Sequence, residues 1–413
     1  MRSPLTLTTE AIVPSRLGRS FRWLLAAALV NNVGDGIVLA AGPLLVASQT
    51  SSPFLVSMAV LSEYLPTLLF GVLGGTAADR FDRRRLVIAV DLGRALALTV
   101  LVATIVTGSV NIVVILITLF ILGTAETFAD SASSTLLPNV VDRQDLGLAN
   151  ARMQGAFLLT NQLVAPPIGA FLFATGMAIP FATNAICFLL GAILVSRVVT
   201  GRGELRERSG LRSEVREGIT WLFANPPMRT LALTIFMFNV TFGAAWSVLV
   251  LYASQRLGMG PVGFGLLTTA LAVGGIVGAL AYGRLERRFS IGSMMRAGFL
   301  IETATHLSLA VTTSPVVALG TMVVFGAHEF VWGTSAEVVR QRAVPNELLG
   351  RVTGVYRVAN VGGLVIGTLI GGVLATVYGI TAPFWFGFIG SAVLVVVLWR
   401  RFDAIVHAGE GST

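Results

Sequence analysis

Gly74-Gly75-Thr76-Ala77-Ala78-Asp79-Arg80-Phe81-Asp82-Arg83-Arg84 closes one long apolar run, and Gly278-Ala279-Leu280-Ala281-Tyr282-Gly283-Arg284-Leu285-Glu286-Arg287-Arg288 closes another. The two stretches share one frame: a glycine, five residues, an arginine, an apolar residue, an acid and two arginines. The chain is therefore read as two copies of one unit. Working outward, Gly123-xx-Glu126 matches Gly326-xx-Glu329, Leu146-Gly147 matches Leu349-Gly350, and Pro180-Phe181 matches Pro383-Phe384. Asn32 and Asn239 hold equivalent places in the first helix of each copy. All these pairs lie near one offset, about 203 to 207 residues, which coincidence does not produce.

The copies are membrane bundles. Of 413 residues 54% are hydrophobic and 12% charged, against roughly 25% charged in a soluble domain. Apolar runs such as 112–122 and 382–399 recur along the chain, and one helical crossing takes about 20 mostly apolar residues. The pattern predicts an all-α membrane protein of twelve transmembrane helices in two pseudo-symmetric six-helix bundles. The helices are placed near 22–47, 54–77, 86–108, 111–135, 153–175 and 179–198, then near 231–253, 262–283, 293–312, 316–338, 354–377 and 382–399. The domains are accordingly 1–198, a cytoplasmic linker 199–229, and 230–413. In the linker Glu204 and Arg208 stand four apart and would support a helix, whereas Arg212 and Arg216 would oppose it slightly.

Arginines crowd the loops at 80–85, 142–152, 197–229, 284–296 and 340–351, and the loops of the other side carry only Arg256 as a basic residue. The positive-inside rule then puts both termini in the cytoplasm, in the inner (cytoplasmic) membrane. The apolar run after the polar first 20 residues is too long for a signal-peptide core, so no cleavage is expected. The net charge of +8 follows from topology, and no nucleic-acid partner is expected.

All 29 basic residues are arginine. Without lysine the chain holds neither a Walker A loop nor a pyridoxal Schiff base, so no nucleotide partner is expected. One cysteine, Cys187, and three histidines, His306, His328 and His407, provide no disulfide framework and no Cys/His zinc site. No cofactor, no metal and no enzymatic activity are expected.

The stretch Gly75 to Arg85 resembles the loop signature of the major facilitator superfamily, and with twelve helices, a duplicated loop and a central linker the resemblance covers nearly the whole chain. Finer features are similar to the branch holding macrolide-efflux proteins and the enterobactin exporter. These are Gly34-Asp35-Gly36, Asp91-Leu-Gly-Arg94, Gly123-xx-Glu126 with Asp130, Leu137-Pro138, Glu347-Leu-Leu-Gly-Arg351 and Tyr356-Arg357. Two features depart from related branches: Ala165-Pro166-Pro167-Ile168-Gly169-Ala170 matches the Gly-Pro-rich antiporter motif only in part, and helix 4 lacks the arginine of another drug-antiporter branch. The resemblance implies a conformational latch made of Gly75, Asp79, Arg80, Arg83, Arg84, Asp91 and Arg94, its arginines gripping carboxylates on neighbouring helices at the cytoplasmic face. The plainer alternative is that the arginines only set topology.

A carboxylate at the centre of a membrane helix costs about 2.5 to 3.5 kcal/mol and needs an explanation. Asp35 is central in helix 1, Glu126 in helix 4 with Asp130 one turn further, Glu302 in helix 9 and Glu329 in helix 10. Glu126 and Asp130 stand four apart on one face, and such a pair can take and release protons. All five are candidate proton-coupling groups, with Glu63 in helix 2 a lesser one. No basic residue is expected mid-helix beside them: Arg94 is placed near the end of helix 3, paired with Asp91. His328 points to a different face from Glu329 and is read first as a packing residue. Helices 1, 4, 7 and 10 of the superfamily line its central cavity, so the resemblance adds Asn31, Asn32, Asn239, Phe242, Trp246 and Trp332 as substrate-cavity residues. Aromatic faces with a few carboxylates suit an amphipathic or cationic small molecule. The leading expectation is proton-coupled export of a drug, antibiotic or siderophore. A proton-coupled nutrient importer and a non-transporting membrane sensor are the alternatives.

Overall fold

In the computed structural model residues 15–199, 211–345 and 347–399 are described, and the side chains of Asp79, Arg80 and Arg212 lie outside that description. The Glu204/Arg208 pair also lies outside the described residues. Apolar runs bounded by capping residues form α1 (Gly18–Gln49), α2 (Pro53–Arg80), α3 (Arg83–Val106) and α4 (Ile112–Leu136). Helix α5 runs from Leu146 to Thr175 with a π-helical turn at Leu158–Val164, and α6 is Ile179–Val195. After a linker helix, Leu211–Ala224, come α7 (Pro226–Trp246), α8 (Pro261–Arg288), α9 (Ile291–Val311), α10 (Pro315–Ala343), α11 (Leu349–Tyr378) and α12 (Ala382–Leu398). Nine described helices are long and apolar enough to cross a membrane, and α6 and α12 are shorter apolar helices of 17 residues. The remaining one, α9, has 21 residues and carries Arg296 and Glu302 within its span.

Caps explain where several helices begin. The Asn111 carboxamide accepts the amides of Val113 and Val114, Asp82 accepts that of Arg85, and Ser290 that of Ser293, each satisfying an N–H the helix itself cannot. Arginines close other ends. Arg84 bonds the Ser196 carbonyl beyond α6. Arg256 binds the carbonyls of Thr312 and Val311 at the end of α9, at 3.1 and 3.0 Å. The π-turn in α5 stands directly before Pro166 and Pro167. Prolines supply no N–H to the carbonyls of the preceding turn, and a wider turn relieves that mismatch.

The chain forms two compact units. One contains α1, α2 from Leu65 and α3–α6; the other contains Thr50–Tyr64, the linker helix and α7–α12. The break within α2 falls next to Pro66, whose ring removes one helical hydrogen bond. In the second unit the linker helix is docked rather than free: Leu222 is buried beside Met228 and Tyr356, and Arg351 pairs with Glu217.

Within each unit the helices meet at small residues. Gly363, Gly367 and Gly371 form a stripe along α11 that lies against the carbonyls of Phe236, Val240 and Ala244 in α7. In the other unit Gly36 and Gly169 bring α1 and α5 together in the same way. The first unit adds a reciprocal lock: Asn31 of α1 fits against Gly191 of α6, and Asn184 of α6 against Gly34 of α1. The outward faces are apolar, as at Leu96 (67% exposed), Leu280 (72%) and Val396 (80%), a surface suited to lipid.

A methyl group at Gly367 would overlap the Val240 carbonyl oxygen, whereas one at Gly354 of the same helix meets nothing within 4 Å. Gly367→Ala is expected to destabilise the protein by about 1–3 kcal/mol and Gly354→Ala to leave it unchanged, read as thermal aggregation midpoints of detergent-purified protein. Equal midpoints for the two variants would remove the stripe as the basis of this packing.

Candidate functional site

In the first unit Asn31 donates to Asp91 at 3.1 Å, and Asp91 and Arg94 are buried, 1% and 4% exposed. Arg94 lies 3.9 Å from Asp35 and 5.0 Å above the Phe188 ring. This corrects two expectations. A basic residue does sit among the carboxylates within the membrane span, and Arg94 reaches beyond Asp91 to Asp35. The physical reason is length: a guanidinium on its three-methylene stem reaches a charge on a neighbouring helix. Glu126 feels Asp35, Arg94 and Asp130 as its charged neighbours, and Glu126 and Asp130 are both exposed. Asp35, with its side chain 28% exposed, stands between the buried pair and these open carboxylates.

Around the implied latch, Gly74 and not Gly75 makes the close approach: it lies on Thr127 and Ser131 of α4, and Gly75 has nothing within 4 Å of a Cβ. Asp82 is the cap of α3, and Arg84 holds a backbone carbonyl rather than a carboxylate. The side chains of Asp79 and Arg80 are outside the described residues. Asn32 accepts a hydrogen bond from Asn161 through its backbone carbonyl, 3.4 Å.

The second unit holds a cavity of about 420 Å³. One end is aromatic. Phe238 and Trp332 stack at 5.1 Å and Phe242 and Phe325 at 5.9 Å. The other end is ionisable, with Glu337, Arg340 and Arg357, and His328, Glu329 and Asn239 also line the wall. Asn239, Phe242, Trp332 and Glu329 therefore line a cavity, as the resemblance implied, whereas Trp246 lies on a second, much smaller one beside Phe242. Asn239 spends one amide hydrogen on the Ile235 carbonyl. Glu302 is not on the cavity wall: it is fully buried, with His306 3.0 Å and His328 3.5 Å away. His328 is thus more than a packing residue, and His306 was missed altogether. The spacing Glu302-xxx-His306, one turn on one helical face, is the signal that marks it. Among the described residues no cluster of His, Cys, Asp and Glu could hold a metal ion.

A helical membrane chain with ionisable groups exposed on its spanning helices and a partly aromatic cavity is a polytopic transporter. A sequence profile described as transmembrane secretion effector matches residues 10–407. The multidrug efflux pump Tap of Mycolicibacterium fortuitum is 29% identical over 378 residues, 87% of this chain and 90% of that protein. The enterobactin exporter EntS of Shigella boydii is 24% identical over 397 residues, 93% of each. Among solved structures, a bacterial homologue of the iron transporter ferroportin in its inward-facing state matches with a TM-score of 0.74 at 18% identity, covering 93% of this chain and 99% of its own. The D-xylose–proton symporter matches with 0.70 at 16%, covering 92% and 96%. Both likenesses speak to the fold alone. The chain belongs to the transmembrane secretion effector family of the major facilitator superfamily, whose members here are transporters and not enzymes.

Arg94 offsets the charge of buried Asp91 electrostatically, and leaving a buried charge uncompensated costs about 3 to 5 kcal/mol. Arg94→Gln is expected to lower thermal stability sharply, and adding Asp91→Asn to restore part of the loss. A double variant no more stable than Arg94→Gln alone would show that the two charges do not depend on each other.

Proposed function

We propose that this transporter exports a hydrophobic or amphipathic small molecule, such as a drug, an antibiotic or a siderophore, across the inner membrane by proton antiport with alternating access. The observation that carries the reading is the cavity of about 420 Å³ with an aromatic wall at one end and ionisable groups at the other. Its size falls within the usual range for small-molecule sites, and flat rings beside a few placed charges suit a ligand that is apolar over most of its surface and cationic at one point. The names of the efflux pump Tap and the exporter EntS support the outward direction. Arg340 and Arg357 line the same cavity beside Glu329 and Glu337, so the direction of transport rests on these relatives and not on the sign of the wall.

In this scheme the exposed carboxylates carry the exchange. Emptied Glu126 and Asp130, helped by Asp35, attract the substrate's positive charge from the cytoplasmic side. A proton arriving from the other side neutralises them, releases the substrate and permits the return. Glu302 and Glu329 are the corresponding candidates in the second unit. Glu126→Gln preserves shape and hydrogen bonding and fixes the group as neutral. It should abolish pH-gradient-driven efflux in everted vesicles and still permit downhill exchange. Wild-type pumping with unchanged pH dependence in both Glu126→Gln and Asp130→Asn would move the proton site elsewhere.

In this reading both termini and the linker helix are cytoplasmic, an orientation the arginine-rich loops support. The exposed Thr220 of the linker helix offers a reporter in a Cys187→Ser background. Thr220→Cys should resist a membrane-impermeant maleimide in intact cells and react in everted vesicles; labelling from outside would reverse the orientation.

A further inference from the structure

We infer that Glu302, His306 and His328 form a sealed proton-holding site in the second unit, reached from one cavity through His328 and from another through His306. Glu302 has no exposed surface. Its Oε1 is 3.0 Å from His306 Nε2 and its Oε2 is 3.5 Å from His328 Nε2. His328 lines the cavity of about 420 Å³, whereas His306 lines the second cavity, of about 20 Å³, enough for a single water.

The surroundings leave these three groups to settle their charge among themselves. On α10 the only acid beside the site is Glu329, which feels the Glu302 charge and stands exposed. Helix α12, packed on α9, has no titratable side chain, and α7 presents Phe238 to the His328 ring at 5.8 Å. Room for the imidazoles comes from glycines: a Cβ at Gly387 would press on the His306 ring and one at Gly298 on His328 and Trp332. With Glu302 ionised, the triad is −1, 0 or +1 as it holds none, one or two imidazolium protons. Either net charge is costly in a sealed apolar site, so the triad favours holding a single proton.

The geometry also shows how the proton is exchanged. Glu302 Oε2 and His328 Nε2 are both buried without a hydrogen-bond partner. With the neutral ring's N–H on Nε2 facing Oε2, a proton from cavity water that forms an N–H bond at the ring's other nitrogen turns that contact into an ionic one, and release breaks this second N–H bond and returns the proton to water. No other bond changes. At Oε1 the contact with His306 is already at hydrogen-bond length, 3.0 Å, so an Nε2–H there donates to the carboxylate from the neutral ring and from the imidazolium alike. A coupling role for this site rests on the antiport reading above; its occupancy does not.

The chain has only three histidines, so ¹⁵N-histidine NMR of the full chain in lipid nanodiscs reads the site directly. At neutral pH, in a His407→Asn background, the expected spectrum contains one imidazolium equivalent spread over His306 and His328, and Glu302→Gln abolishes it. Two neutral rings in wild type overturn the proposal without any need for the Glu302 variant to fold, and a signal that survives Glu302→Gln overturns the role of the carboxylate. In proteoliposomes with an imposed pH gradient and ethidium as probe, Glu302→Gln is expected to lose gradient-driven flux. Wild-type flux in that variant overturns the coupling role and leaves the antiport reading standing. A wild-type protein that moves ethidium indifferently to the gradient, yet shows the shared imidazolium, overturns antiport of that probe and confirms the site.

Discussion

Two helices that meet inside a bilayer gain nothing by hiding apolar surface from each other, because lipid tails are as apolar as leucine. What holds them is close approach of backbone to backbone, and close approach needs residues without bulk. The stripe Gly363, Gly367 and Gly371 does this against α7, and Gly36 with Gly169 does it between α1 and α5. Everything polar in the structure depends on this packing, since the helices that carry the carboxylates are aligned by their glycines. Asn31 illustrates the link. Its side chain is seated against Gly191, and from that seat its amide reaches Asp91 at 3.1 Å, so one residue serves both the helix contact and the charge network.

Duplication gave the two units one scaffold, and divergence filled it with different chemistry. Aligning Asn32 with Asn239, the residues that flank them are Asn31 and Asp35 in α1 but Phe238 and Phe242 in α7. The first unit accordingly holds a network of Asn31, Asp35, Asp91 and Arg94, and the second an aromatic wall in which Phe238 stacks on Trp332. Glu126 and Glu329 are the exception. They occupy the same place in α4 and α10, and both are exposed. A carboxylate retained at one position in both halves, where burial would be expensive, marks the position at which each unit needs an accessible acid.

The scaffold was legible because its signals are local and repeated. Helix lengths follow from apolar runs, and the paired loops at Gly74 and Gly278 declare the duplication. What escaped reading depends on rotation and reach. Arg94 looked like a partner for Asp91 because they are close in sequence, yet its long stem carries the charge to α1. His306 was overlooked because a lone histidine says little until its helix turns it toward Glu302. The π-turn at Leu158–Val164 had a visible cause in Pro166 and Pro167, whose effect appears only once the hydrogen bonds they deny are counted. The two aromatic candidates of α7 were separated in the same way: Phe242 lines both cavities, whereas Trp246 lines the small one and is absent from the wall of the larger.

Ionisable groups in this chain fall into three environments, and access to water distinguishes what each can do. Asp91 and Arg94 are both closed off on α3 and reach α1 at Asn31 and Asp35, so they are suited to hold those two helices in register. Glu126, Asp130 and Glu329 are exposed on the surfaces of their units, the placement the antiport reading needs for exchange of a proton or a cation. Glu302 belongs to neither group, because it is as buried as Asp91 yet its neighbours are imidazoles, bases that change charge near neutral pH where a guanidinium does not. A buried acid beside arginine is fixed, and a buried acid between two histidines is not. That difference in partner, more than the depth of the carboxylate, separates the charges that build this protein from those able to change state as it works.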